Sequence, residues 1–368
     1  MTLDLLIRNG TVVDGSGMPR FRSDVGIKNG RIVEVGRIRA PAHQTLDAEG
    51  LIVAPGFIDG HTHMDAQVAW DPIGSCSCWH GVTTVLMGNC GFALAPCREA
   101  DREWYARCLE AVEDIPTDAM LAGIDWNWET FPEYFNNVER LPKAMNHGTY
   151  IGHSALRMYV MGSRALEETA TEDDLKQMGQ AVREALKAGA IGFSTSMAST
   201  HITPDGGPVA SRIADWTELD FLAGQMAELN TGIFQIGPDV SSGEAQRVFL
   251  DRLQKVALDT GRPVMFGTIS TRQGADPNPW RYQLDYIDDT VAKGGRMFGQ
   301  TTTKSINAVF SFKSYLPFDN LAAWKDVRAL PHEDQKRRLA DPEVRRQLVA
   351  AEAVSYTHLR AHETRHDL

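Results

Sequence analysis

Up to about residue 54 the apolar residues come in short runs separated by turn-forming pairs. Leu5-Leu6-Ile7 and Thr11-Val12-Val13 flank Asn9-Gly10, and Val25-Gly26-Ile27 and Arg31-Ile32-Val33 flank Asn29-Gly30. Runs of this length suit strands, and Asn-Gly suits the positive-φ turn of a two-residue hairpin. The pattern predicts a small β layer over residues 1–54, separate from the rest of the chain.

From residue 52 the pattern becomes strand then helix, repeated. Seven strands are expected: one ending at His61, then Thr83–Met87 leading to Cys90, Thr149–Ile151 leading to His153, Ala190–Ser194, Gly232–Ile236, Pro263–Phe266 and Arg296–Gly299. Three intervening helices are legible from their apolar faces. Thr171 with Asp174 forms a capping pair ahead of Leu175, Met178, Val182 and Leu186, and Gly189 stops that helix. Val248, Leu253, Val256 and Ala257 mark a second helix closed by Gly261, and Leu284, Ile287 and Val291 a third closed by Gly294-Gly295. Between the second and third strands lies a long segment with Trp126, Trp128, Phe131, Tyr134 and Phe135, expected to pack an inserted helical lobe. Seven strand–helix units predict an α/β fold, a (β/α)8 TIM-like barrel lacking its eighth unit.

Composition narrows the class. Of 368 residues, 43% are hydrophobic, enough for a large core. The formal net charge of -11 and the lack of a basic stripe argue against nucleic acid, and no apolar run is long enough to span a bilayer. The N-terminus lacks a signal-peptide pattern. Five cysteines, at 76, 78, 90, 97 and 108, are an odd and clustered set, which fits reduced thiols in the cytoplasm. Cys76-Ser77-Cys78 is too close-set for a structural zinc knuckle.

The chemistry concentrates in Pro55-Gly56-Phe57-Ile58-Asp59-Gly60-His61-Thr62-His63-Met64-Asp65. Side chains two apart on an extended chain face one side, so both imidazoles can address one metal ion. Asp65 continues the alternation and could orient an imidazole or bind the metal. Cys90 is placed at the tip of the next strand; two imidazoles and a thiolate make a zinc site with room for water.

Val53-Ala54-Pro55-Gly56-Phe57-Ile58-Asp59-Gly60-His61-Thr62-His63 resembles the first-strand signature of the amidohydrolase superfamily. Trp70-Asp71-Pro72, Trp79-His80-Gly81-Val82-Thr83-Thr84-Val85, Gly88-Asn89-Cys90-Gly91 and Gly192-Phe193-Ser194-Thr195 resemble its N-acyl-D-amino-acid deacylase (D-aminoacylase) branch, within amidohydrolase family 3. The resemblance runs from about residue 3 to about residue 350. It implies a hydrolase cleaving the acyl amide C–N bond of a small-molecule N-acyl-D-amino acid with Zn(2+)-activated water. It also implies that the N-terminal layer is half of a composite β-sandwich.

The family's metal site carries over in part. His61, His63 and Cys90 match. The family's histidines at strands five and six are absent, since Gln235-Ile236-Gly237-Pro238-Asp239 and Phe266-Gly267-Thr268-Ile269-Ser270 stand there. The family's catalytic aspartate follows an eighth strand, which is expected to lie beyond the break in this chain. Asp65 and His201 are therefore supplementary ligand candidates, His153 a structural hydrogen-bonding residue or a supplementary ligand, Asp239 a substitute acid or ligand, and Arg157 a partner for a substrate carboxylate or, equally, a surface salt bridge.

Residues 55–353 are expected to form the incomplete barrel. Residues 354–368 have no apolar period and resemble sequencing-adapter read-through, so they are expected to be non-native and the chain truncated and inactive in isolation. Two alternatives remain. A hydantoinase- or dihydroorotase-like ring opener would usually carry a lysine at strand four, where Phe193-Ser194-Thr195-Ser196 stands. A non-catalytic barrel would explain the missing histidines.

Overall fold

The computed structural model describes residues 1–113, 115–238, 244–269, 279–303, 310–312, 316, 318–319 and 321–355. The chain divides into two compact units. The first comprises Met1–Met87 and Arg140–Gly148, the second Gly88–Glu139 and Thr149–Leu368.

In the first unit, β1 (Leu3–Val12), β2 (Phe21–Lys28), β3 (Arg31–Gly36), β4 (Ala42–Asp47) and β5 (Ile52–Val53) form one sheet. The order is β3-β2-β1-β4, with β5 also pairing β1. Leu3, Leu6 and Ile38 make its small core. Asn29-Gly30 forms the expected turn, with φ of 51° and 69°. Asn9-Gly10 does not. There β1 runs straight through with a register shift between Ile7 and Gly10. Asn9 uses its positive φ of 60° for a bulge, where its N–H donates to Asp24 and its side-chain amide to Asp47, each at 2.9 Å. Two aspartates hold the bulge, and nothing next to Asn9-Gly10 in sequence reveals them.

The first unit also holds β6 (Phe57–Asp59) and β7 (Val82–Met87), which pair in parallel. Strand β8 (Asn146–Gly152) runs from the first unit into the second. In the second unit β9 (Gly192–Ser196), β10 (Ile233–Gly237), β11 (Val264–Phe266) and β12 (Met297–Gly299) follow, all parallel, in the order β8-β9-β10-β11-β12. Every residue of β9 is buried, as a parallel strand covered on both faces requires.

The helices between these strands form for the reasons their sequences suggest, with two corrections. Glu172–Ala188 opens on a Thr171/Asp174 capping box and ends on Gly189 at φ 113°. Met178, Val182 and Leu186 are buried, each contributing about 1.5–3 kcal/mol. In Glu244–Thr260 the buried face is Phe249, Leu250, Leu253, Val256 and Ala257, while Val248 is 51% exposed. In Pro279–Ala292, Leu284 and Val291 are exposed and Thr290 is buried, its hydroxyl donating to Tyr286 O at 2.7 Å. Phe249-Leu250 and a back-bonded threonine shift each buried stripe by about one position. Trp126, Trp128, Phe131 and Tyr134 are buried together, with Trp128 edge-on to Tyr134 at 5.0 Å, so they pack the lobe as expected. Helices Ala322–Arg328, His332–Ala340 and Pro342–Ser355 come last. A separate apolar cluster joins Trp324 and Val327 of the first to Val344 and Leu348 of the third. The tail beyond residue 355 lies outside the described residues. Among the described residues no helix is long and apolar enough to cross a membrane.

Candidate functional site

In the first unit, β6 ends at Asp59, two residues before the first histidine. The chain stays tethered beyond it. The Thr62 N–H and hydroxyl both donate to Leu86 O of β7, at 3.0 and 2.9 Å, and the His61 N–H donates to Asp59 Oδ1 at 3.2 Å. The anchored threonine leaves its two neighbours to share the other side. The His61 and His63 rings meet edge to face with centroids 5.3 Å apart, both half-buried. Asp65 is buried.

In the second unit, Cys90 sits in a tight turn, Asn89–Gly91, directly after Gly88. Gly88, Cys90 and Gly91 all take left-handed φ, at 71°, 56° and 78°. A side chain on Gly88 would bring its Cβ to 2.5 Å from Tyr150 O, so only glycine fits. Cys90 has no such freedom, and its conformation costs on the order of 1–3 kcal/mol, which the surrounding bonds offset. The Cys90 N–H donates to Gln235 Oε1 at 2.7 Å, the Gly91 N–H to Ser194 Oγ at 3.0 Å, and the Ser194 hydroxyl to Gly88 O. Burial pushes the Cys90 thiol up to about 12, with the Gln235 side chain acting in the opposite direction. Burial likewise pushes Cys97 and Cys108 up to about 12. Cys76 is exposed and Cys78 half-buried. Because the thiolate is the nucleophile, iodoacetamide at neutral pH should label Cys76 and Cys78 in the folded protein. Cys90, Cys97 and Cys108 should label only after denaturation, and peptide mass mapping checks the order.

At the tip of β8 the structure gives His153 a structural hydrogen-bonding role instead of ligation and corrects both readings of Arg157. His153 and Arg157 are both fully buried. Each nitrogen of His153 is engaged, Nδ1 with Thr195 Oγ1 at 2.8 Å and Nε2 with Glu218 Oε1 at 2.7 Å. That leaves no lone pair for a metal. Arg157 donates to Glu218, to Glu168 O at 2.7 Å and to Ala165 O at 3.4 Å, so it is neither a surface ion pair nor open to a substrate carboxylate. Burial holds His153 below its ordinary pKa, against the pull of Glu218 and with the help of Arg157. Burial acts to raise Glu218, but the bonds from His153 and Arg157 outweigh it and keep the carboxylate ionised. The set is thus a neutral imidazole, a carboxylate and a guanidinium. The imidazole's Nε2–H donates to Glu218, and its Nδ1 accepts from the Thr195 hydroxyl. Sequence reasoning missed Glu218. The one signal was a cation four residues after a histidine on an otherwise apolar helix, which demands a buried carboxylate without saying where.

His201 lies beyond β9, its Nδ1 2.7 Å from Ser196 Oγ and its ring 5.1 Å from that of Phe92. Asp239 lies outside the described residues.

Residues 44–339 match the amidohydrolase family. The chain belongs to that family. Residues 1–57 also match the N-terminal domain of the urease alpha-subunit. This amidohydrolase is 38% identical over 193 residues to a D-aminoacylase of Alcaligenes xylosoxydans xylosoxydans, covering 52% of the chain and 37% of that relative. It is 35% identical over 260 residues to an N-acyl-D-glutamate deacylase of the same organism, covering 70% of the chain and 48% of the relative. Among solved structures it resembles the N-acyl-D-glutamate deacylase of Bordetella bronchiseptica, complexed with zinc and a phosphonate that mimics the reaction's tetrahedral intermediate. The TM-score is 0.67 at 26% identity, over 83% of this chain and 59% of that one. The expected barrel fold is thereby borne out. The amidohydrolase spans about half the length of the curated relatives it matches.

Proposed function

We propose that this amidohydrolase is the metal-binding portion of a zinc-dependent deacylase that cleaves the acyl amide of N-acyl-D-amino acids. The observation that carries the reading is the 5.3 Å approach of the His61 and His63 rings beyond β6. Cys90 supplies the third donor. It comes three residues after Met87, the last residue of β7, and three residues span at most about 11 Å. His61, His63 and Cys90 are the ligand set that their sequence pattern suggests. Two imidazoles and a thiolate are a donor set that zinc takes, with a position left open, so the residues fit the ion.

Zinc bound there would supply a Lewis acid and a water of pKa about 7. The chain's own part is to orient the donors. The Thr62–Leu86 bonds fix which side the imidazoles face. The bond from Cys90 N–H to Gln235 and that from Gly91 N–H to Ser194 hold the turn that carries the thiol. A carboxylate must accept the attacking water's proton and return it to the leaving amine. Asp239 and Asp65 are the candidates in this chain, and Asp65, His201 or both would supplement the metal set.

The protein expressed from its complete reading frame and loaded with zinc should release free amine from N-acetyl-D-amino acids and much less from the L-forms. Full zinc occupancy with no amine release from either series would favour a repurposed barrel. That outcome is the one the missing strand-five and strand-six histidines motivate.

A further inference from the structure

Gln235 is out of place in its strand. It lies between Phe234 and Ile236 in β10 and is completely buried. A carboxamide removed from water costs on the order of 1–3 kcal/mol for each bond left unmade. Its Oε1 is satisfied by the Cys90 N–H at 2.7 Å, while its Nε2 is without a hydrogen-bond partner among the described residues. The sulfur lies on the same side of the strand. A Cβ built on Gly237 would stand 3.4 Å from Cys90 Sγ, and residues two apart on a strand share a face. The sulfur thus lies against the face of β10 that Gly237 and Gln235 share, with Gln235 as the polar group on that face.

We propose that Gln235 is the positioning residue of Cys90: Oε1 accepts from the backbone N–H, and once the sulfur is a metal-bound thiolate the unsatisfied Nε2–H donates to Sγ. The inference rests on the reading of Cys90 as a metal ligand. A buried N–H donor beside the sulfur gives a metal-bound thiolate a charge-assisted hydrogen bond. The amide also sets the direction of the sulfur lone pairs, as outer partners of metal ligands do.

The test is the near-ultraviolet thiolate-to-metal charge-transfer band of the full chain loaded with Co2+ in place of zinc, in wild type, Gln235→Met and Gln235→Glu. Methionine keeps the volume and loses both bonds. Glutamate keeps the Oε acceptor for the Cys90 N–H and turns an oxygen toward the sulfur. With Nε2–H removed, the sulfur electrons lie higher, so the band should move to longer wavelength in both variants. Co2+ affinity should fall about 10–100-fold in Gln235→Met. A wild-type band that stays in place in both variants overturns the grip by Gln235 while leaving Cys90 a ligand. A shift in Gln235→Met alone, with Gln235→Glu at the wild-type wavelength, limits Gln235 to the backbone contact and overturns the bond to sulfur. No band in wild type, with Co2+ bound, removes Cys90 from the metal and overturns both this inference and the ligand set it rests on.

Discussion

The double variant His61→Ala plus His63→Ala is expected to lose its zinc, from near one ion per chain to near none by elemental analysis after gel filtration. Each imidazole is one of three proposed ligands, and a site reduced to one thiol has neither the donor number nor the geometry that zinc takes. The loss should not come from unfolding. Both rings are half-buried, and the backbone that carries them is held by Thr62 and Asp59, which the variant keeps. Far-ultraviolet circular dichroism should therefore match wild type. Zinc retained at wild-type stoichiometry in the double variant would mean the ion binds elsewhere.

The second large effect is on stability. Glu218→Ala should cost about 3–5 kcal/mol, the usual result of removing one partner of a buried ion pair and stranding the other. Arg157 would keep two carbonyl oxygens but lose its only carboxylate among the described residues, and His153 Nε2 would lose its acceptor. Urea unfolding at pH 7 reads the change as a lower midpoint; a fall under about 1 kcal/mol would show that the cluster contributes little. The cluster also gives a pH signature. His153 has a folded pKa below its unfolded value of 6.5, so the unfolded chain takes up its proton first as pH falls. The stability it contributes is present above that pH and lost below it, by about 1.4 kcal/mol per pH unit. Glu218, also lowered, adds a further loss below about pH 4.5. His153→Gln should show a flatter dependence than wild type between pH 6.5 and 5.

Much of the architecture was legible because it depends on local pattern. The parallel strands came within a few residues of their observed bounds, since each apolar run is closed by glycine or a polar residue. The Thr171–Asp174 cap and the Gly189 stop are complete within their own helix. What failed depends on partners far along the chain. Asn9-Gly10 reads as a turn until Asp24 and Asp47 are seen to hold it as a bulge. Arg157 reads as a surface or substrate-facing cation, and His153 keeps two readings, until Glu218, more than sixty residues on, is found between them. The two histidines were legible because spacing alone puts them side by side. Gln235 was in plain view as a polar residue in an apolar strand, but its reason, the Cys90 turn, lies 145 residues earlier.

The claim on which the functional reading turns is that His61, His63 and Cys90 share one ion. X-ray absorption at the zinc edge of the loaded protein tests it without an assay. One sulfur at about 2.3 Å and two imidazole nitrogens at about 2.0–2.1 Å are expected, the sulfur shell vanishing in Cys90→Ser. A first shell of nitrogen and oxygen alone in the wild-type protein would contradict it.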